Sequence, residues 1–445
     1  MRHIHLIGIC GTFMAGIASL AKAMGFHVTG SDEGVYPPMS TMLNDLGIEY
    51  FQGFDAKHLS PAPDVVLVGN ATKRGNPEFE AVLSHRMAYQ SAPEWLYQHV
   101  MRDRVIFAVA GTHGKTTTSA MLVHALRKLG QDPGFLIGGL PHGFEASAHL
   151  GQQYFVVEAD EYDTALFDKR SKFLHYHPDF LALNNLEFDH ADIFRDLEDV
   201  KRQFHHLLKT LSQNALVAYN AADDNLQSVL AQGCWSKTQG FNTKEGLQAA
   251  AITSDFSQFD VRNEGETIAT IHWPLIGEHN AQNALAVFTL LTRAGFEAKA
   301  IAAALESFKG VKRRMEILSE KKGVTIYNDF AHHPTAIKTT LKALRAKVGA
   351  RRIIAVLQFG SYTMREGVHA PSAFVEALSA ADDVIVKSNT QNQVVLAALK
   401  AHFGERFLAS DAVADIADAI HREAKSGDTV LIMSNSSFDG LYNLL

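Results

Sequence analysis

Ile106-Phe-Ala-Val-Ala-Gly111-Thr-His-Gly114-Lys115-Thr116-Thr117-Thr118 decides the fold of this chain. The apolar run before Gly111 reads as a strand buried in a parallel sheet. Beyond Lys115, Met121, Leu122, Ala125, Leu126 and Leu129 recur at helical spacing. Two glycines bracket the turn between them. They let successive N–H groups face inward on an anion, and the start of the helix adds its dipole. Lys115 would then reach the outer phosphates of a nucleotide, and a threonine hydroxyl would ligate Mg²⁺. The stretch reads as a phosphate cradle. It departs from the strict G-x-x-x-x-G-K-[ST] pattern because Val109 stands where the first glycine belongs.

Upstream, strand and helix patterns alternate: His3–Ile9, Met14–Met24, Phe26–Gly30, Val65–Gly69 and Pro77–His85. The first turn, Gly8-Ile-Cys10-Gly11-Thr12-Phe13-Met14, sits where a dinucleotide fingerprint would. Cys10 and Phe13 occupy its second and third glycine positions, which disfavours NAD and leaves a different nucleotide ligand. Asp32 closes the second strand, where a ribose-binding acid is expected.

Downstream, the strand at Tyr154–Val157 discharges into Glu158-Ala-Asp160-Glu161-Tyr-Asp163, and Glu158 is placed as a Mg²⁺ ligand. The strand Phe180–Leu183 ends in Asn184-Asn185-Leu-Glu187-Phe-Asp189-His190. There His190 is a candidate for a second metal or for a phosphate. Leu197–Leu211 is an amphipathic helix, and Ile252–Val261 with Thr267–Trp273 reads as a hairpin about Asn263-Glu-Gly265. Asn280 and Asn283 share one face of a helix, suited to an adenine edge or to capping. Lys312-Arg313-Arg314 marks a junction, where one arginine facing a phosphate would stabilise transition-state charge. A third alternating segment carries Asn328-Asp329-Phe-Ala-His332-His333-Pro334, with proline opening a helix.

The 445 residues, 47% hydrophobic and 20% charged, suit a globular chain of about three domains. A net charge of −7 argues against nucleic acid, and Cys10 with Cys234 alone excludes a disulfide framework. No signal peptide or membrane span is read, so a cytoplasmic location is expected. The fold class is α/β in three units: a Rossmann-like N-terminal domain (1–101), a central P-loop ATPase-type parallel sheet (102–309) and a Rossmann-like C-terminal domain (310–445). A nucleotide-driven switch and an oxidoreductase are the competing classes.

These motifs, in this order and spacing, resemble the Mur ligase family of ATP-dependent amide-bond ligases that build peptidoglycan precursors. The resemblance rests on Gly111-Thr-His-Gly114-Lys115-Thr-Thr-Thr, Glu158-Ala-Asp160-Glu161, Asn185-x-x-x-Asp189-His190, His279-Asn280-x-x-Asn283, Arg313-Arg314 and Asp329-x-x-His332-His333-Pro334. It implies ATP and Mg²⁺ as cofactors. It places ATP on Gly111, Thr112, His113, Gly114, Lys115, Thr116, Thr117, Asn280, Asn283 and Arg314. Metal would sit on Thr116, Glu158 and His190, and Lys115, His190, Arg314 and Asp329 would carry the chemistry. A UDP-sugar would lie on Gly11, Thr12, Met14, Ser31 and Asp32.

Within the family, the first turn and Ser31-Asp-Glu-Gly-Val35-Tyr36-Pro37 are similar to members that act on UDP-N-acetylmuramate. The acceptor this implies is the murein tripeptide L-alanyl-γ-D-glutamyl-meso-diaminopimelate, with L-alanine the alternative. Neither nucleic acid nor membrane is an expected partner. The carbamylated lysine of some relatives is not carried over to Lys201 or Lys209. The arginine expected near Ser361 is missing, with Arg365 its stand-in. His332, His333 and Asp329 are all open as acceptors for the amine proton.

Overall fold

Runs of alternating apolar residues place the sheets, because successive strand side chains point to opposite faces. The computed structural model describes residues 2–37, 39–360 and 369–445, so Ser361 and Arg365 lie outside the described residues. The first sheet is five-stranded and wholly parallel, in the spatial order Glu49–Gln52, His27–Asp32, His3–Ile7, Val65–Val68, Tyr89–Ser91. Its two outer strands are too short and too exposed to show in the sequence pattern.

The second sheet is ten-stranded. Its centre is parallel: Val105–Ala110 lies between Tyr154–Glu158 and Phe180–Leu183. It is not parallel throughout. Leu247–Ala251, Gln258–Asn263 and Glu266–His272 form an antiparallel margin, and Ala148–His149 runs antiparallel at the other edge. The hairpin turn falls at Glu264 and Gly265, both at positive φ, as expected of a primed turn. Its first strand starts at Gln258, not Ile252, because Ile252 belongs to the preceding turn and donates to the Gln258 carbonyl.

The third sheet is six-stranded, with an unforeseen antiparallel edge strand, Glu316–Lys321, on Val324–Asp329. Helices Ala298–Glu306, Pro371–Leu378 and Gln393–Phe403 were likewise not read from the sequence.

Both faces of the strand before the cradle are buried. Ile106, Ala108 and Ala110 face one core, Phe107 and Val109 the other. The first of these cores continues into the N-terminal unit through Ile4, Leu6, Met14, Ile17 and Trp95. Gly16 is what permits the approach: a Cβ there would collide with Leu136 of the central sheet. The helix Thr12–Ala23 is thereby seated directly on the central unit. Gly310 to Lys312 is stitched to Leu140–His142 by backbone bonds, which fixes where the third unit begins.

Candidate active site

A parallel sheet collects the carboxyl ends of its strands along one edge, and the cradle sits there. Gly111 (φ 136°) and Gly114 (φ 80°) take conformations that side chains resist. A Cβ on Gly114 would stand 2.7 Å from Asn283 Oδ1, and one on Gly111 would stand 3.0 Å from the Asn185 carbonyl. Asn185 holds the turn ready. Its Oδ1 accepts from the His113 amide at 2.7 Å, its carbonyl from Thr112, and its amide nitrogen donates to the His113 carbonyl. Helix Lys115–Lys128 starts with no side-chain cap, so its first-turn amides remain for an anion.

Gly114→Ala is expected to weaken nucleotide binding about tenfold or more, since a side chain resists the left-handed conformation and its Cβ would crowd Asn283 Oδ1. Titration calorimetry with a non-hydrolysable ATP analogue checks it. Unchanged affinity would separate this turn from the nucleotide.

Lys115 bends back over the cradle. Its ammonium donates to the Gly111 carbonyl and to Glu161, each at 2.7 Å, and lies 3.9 Å from Asp160. Glu161 also receives His190 Nε2 at 3.2 Å. Burial alone would raise the Glu161 carboxyl, but the Lys115 charge and the His190 hydrogen bond hold it down to about 2. Burial would likewise lower His190, yet Glu161 and Asp189 keep it above its ordinary value. Glu161 was one acid among several in the sequence; folding makes it the buried anion on which both cationic groups converge.

Thr116 Oγ1 donates to Glu158 Oε1 at 2.8 Å, and both residues line the cleft. A hydroxyl beside a carboxylate is the oxygen donor set a hard cation such as Mg²⁺ requires, so these two fit the ion. His190 does not join them here, because its Nε2 is committed to Glu161.

The third unit closes the cleft, which has a volume of about 1850 Å³. Both junction arginines lie over the Phe330 ring and line the cleft, and Arg313 also donates to the carbonyls of Ser434 and Ser436. Asp329 is not a free acceptor, since its oxygens take the Met315 and Ala331 amides at 2.8 Å. It positions the junction. His332 and His333 are both pulled below the ordinary imidazole value by burial, His333 to about 4. His333 packs 5.0 Å from the His113 ring, and Glu187 lies between them, 3.3 Å from His113 and 3.6 Å from His333. Asn280 and Asn283 are buried side by side on their helix. Asn283 meets Asn184 at 3.4 Å and so borders the cradle itself, while Asn280 donates to the Ile276 carbonyl.

A second cleft of about 950 Å³ opens between the first and central units, lined by Gly11, Thr12, Met14 and Asp32. The helix Thr12–Ala23 again starts uncapped, with its amides toward this space. Asp32 ties two loops, accepting from the Cys10 and Gly34 amides. Ser31 is a correction: it is 0% exposed, lines neither cleft, and donates its hydroxyl to Glu78. Alternation along the strand sends Ser31 to the covered face and Asp32, the strand's last residue, to the other. Cys10, Gly11, Thr12, Tyr36, Gly138, Glu158, Asp160 and Tyr162 line both clefts, which are therefore continuous.

Three family models match in succession. They are the Mur ligase family catalytic domain over residues 3–104, the Mur ligase middle domain over 109–291, and the Mur ligase glutamate ligase domain over 313–436. The chain is 47% identical to a UDP-N-acetylmuramate–L-alanyl-γ-D-glutamyl-meso-2,6-diaminoheptandioate ligase of Haemophilus influenzae, over 99% of this chain and 98% of that one. It is 35% identical to a UDP-N-acetylmuramate–L-alanine ligase of Persephonella marina, over 82% and 77%. The crystal structure of a murein peptide ligase from Psychrobacter arcticus superposes with a TM-score of 0.76 at 39% identity, covering 100% of this chain and 98% of that one.

Proposed function

The chain belongs to the Mur ligase family, and from that premise we propose that it joins UDP-N-acetylmuramate to L-alanyl-γ-D-glutamyl-meso-diaminopimelate, with ATP as the energy source. The observation that carries this reading is 47% identity along 99% of the chain to a ligase of that specificity. The reaction belongs to peptidoglycan recycling in the cytoplasm. Among the described residues no helix is long and apolar enough to cross a membrane.

The chemistry follows from the donor's inertness. The lactyl carboxylate has no good leaving group, so it first attacks the γ-phosphorus of ATP, forming a carboxylic–phosphoric anhydride and releasing ADP. The peptide amine then adds to the activated carbonyl and phosphate departs. Nothing here needs a protein nucleophile; positioning and charge neutralisation are the work. Lys115 and the first-turn amides of its helix hold the terminal phosphates, and Arg314 faces them from the third unit. Thr116 and Glu158 would hold Mg²⁺, which screens the phosphate charge when bound. Asn280 and Asn283 would border the nucleotide, and Gly11 to Met14 with Asp32 the UDP-sugar. Closure of the third unit excludes water from the anhydride.

Phosphate release with and without each substrate tests the reading. We expect release to require both UDP-N-acetylmuramate and the tripeptide, with L-alanine a poor acceptor. The 35% match to an alanine ligase makes L-alanine the second reading, and equal turnover on it would favour that one. Phosphate release with no donor would return the chain to the class of nucleotide-driven switches.

A further inference from the structure

The donor must bring a carboxylate, already an anion, to the place where the two clefts meet. That place is lined by Glu158 and Asp160, with Glu161 buried beneath. Two carboxylates facing a third repel it unless cations intervene, and Mg²⁺ on Thr116 and Glu158 would answer for only one of them. Lys115 is already assigned above to the terminal phosphates, and its ammonium sits over the Gly111 carbonyl beside Glu161. Of the cations lining the second cleft among the described residues, Lys73 and Arg74 are exposed, and Arg74 is paired with Glu80.

Lys172 differs. It leads a short turn after a hairpin, its side chain is only 11% exposed, and its ammonium lies 3.3 Å from Asp160 Oδ2. Aromatic faces from two units flank it: Phe13 of the first turn at 5.5 Å and Tyr162 at 5.6 Å. Burying a lysine this far is unfavourable unless its charge is used. The other oxygen of the same Asp160 lies 3.9 Å from Lys115, so the two ammonium groups stand one carboxylate apart.

We propose that Lys172 is the donor-carboxylate site: Asp160 holds its ammonium in waiting, and the lactyl carboxylate takes Asp160's place on it beside the γ-phosphate. This rests on the donor assigned above. Asp160 then stands in for the substrate group, and Lys172 selects a muramyl sugar over one lacking the acid.

The measurement is calorimetric binding, without ATP, of UDP-N-acetylmuramate and of UDP-N-acetylglucosamine, the same sugar nucleotide without the lactyl ether. Wild type is expected to prefer the muramyl compound. Lys172→Met should cost that compound about 10- to 100-fold in affinity and leave the other unchanged, while Lys172→Arg keeps most of the preference. Equal weakening of both sugars would move Lys172 to the diphosphate and overturn the proposal, as would no weakening of either. Asp160→Asn added to Lys172→Met removes the unpaired acid. If muramyl binding then returned to wild type, Lys172 would be only Asp160's counter-ion. A wild-type protein that did not prefer the muramyl sugar would instead bring down the donor assignment itself.

Discussion

Lys115→Ala is expected to reduce turnover by about 10³-fold while UDP-N-acetylmuramate still binds. On the proposed mechanism the side chain supplies a fixed positive charge where negative charge builds on the transferred phosphoryl group, and such groups contribute about that much in a water-excluded site. The ammonium already points into the cradle, over the Gly111 carbonyl. A second effect must be separated from the first. Removing the cation leaves Glu161, 2% exposed, with His190 as its remaining charged partner. Breaking a buried pair on one side destabilises by about 3 kcal/mol. The double variant Lys115→Ala/Glu161→Gln should therefore recover thermal stability and no activity. Single-turnover ADP formation is the readout. Wild-type ADP formation in either variant would remove Lys115 from the chemistry.

Arg314→Ala should lower turnover by about 10²- to 10³-fold, with a small change in donor affinity. Both arginines line the cleft, and Arg313 commits its guanidinium to the Ser434 and Ser436 carbonyls. Burial disfavours the charge of Arg314, while Asp329 of the third unit and Glu158 of the central unit both favour it. Arg313→Ala is the contrasting variant. It should loosen the third unit and lower the melting temperature while retaining most activity of the folded fraction. If both variants lost activity in proportion to stability, Arg314 would have a packing role only.

The cradle was legible because everything that builds it is local. A strand of β-branched and aromatic residues, two glycines and a helix lie within one short stretch, and each needs only its neighbours. Glu158 was legible for the same reason, as the first acid beyond a buried strand. Glu161 was not: its partners Lys115 and His190 come from distant parts of the chain, so nothing nearby distinguishes it from Asp160 or Asp163. Asn184 and Asn185 read as a polar strand end, and only folding shows Asn185 clamping the glycine turn and Asn184 tied to Thr118 in the helix beyond it. Ser31 was misplaced because strand alternation fixes that neighbours differ, not which of them faces the ligand. The choice among Asp329, His332 and His333 narrows only in three dimensions, where two backbone amides claim the aspartate.

The eight residues common to both clefts would make the two proposed occupants near neighbours in one continuous space. A synthetic molecule carrying a uridine at one end and an adenosine at the other, with a tether following Gly11, Gly138 and Asp160, would find both anchoring points already at hand. The second end then docks at an effective concentration in the millimolar range for a short flexible tether, so affinity rises without any new contact. Chemical inhibition of this protein is thereby a question of tether length before it is one of headgroup chemistry.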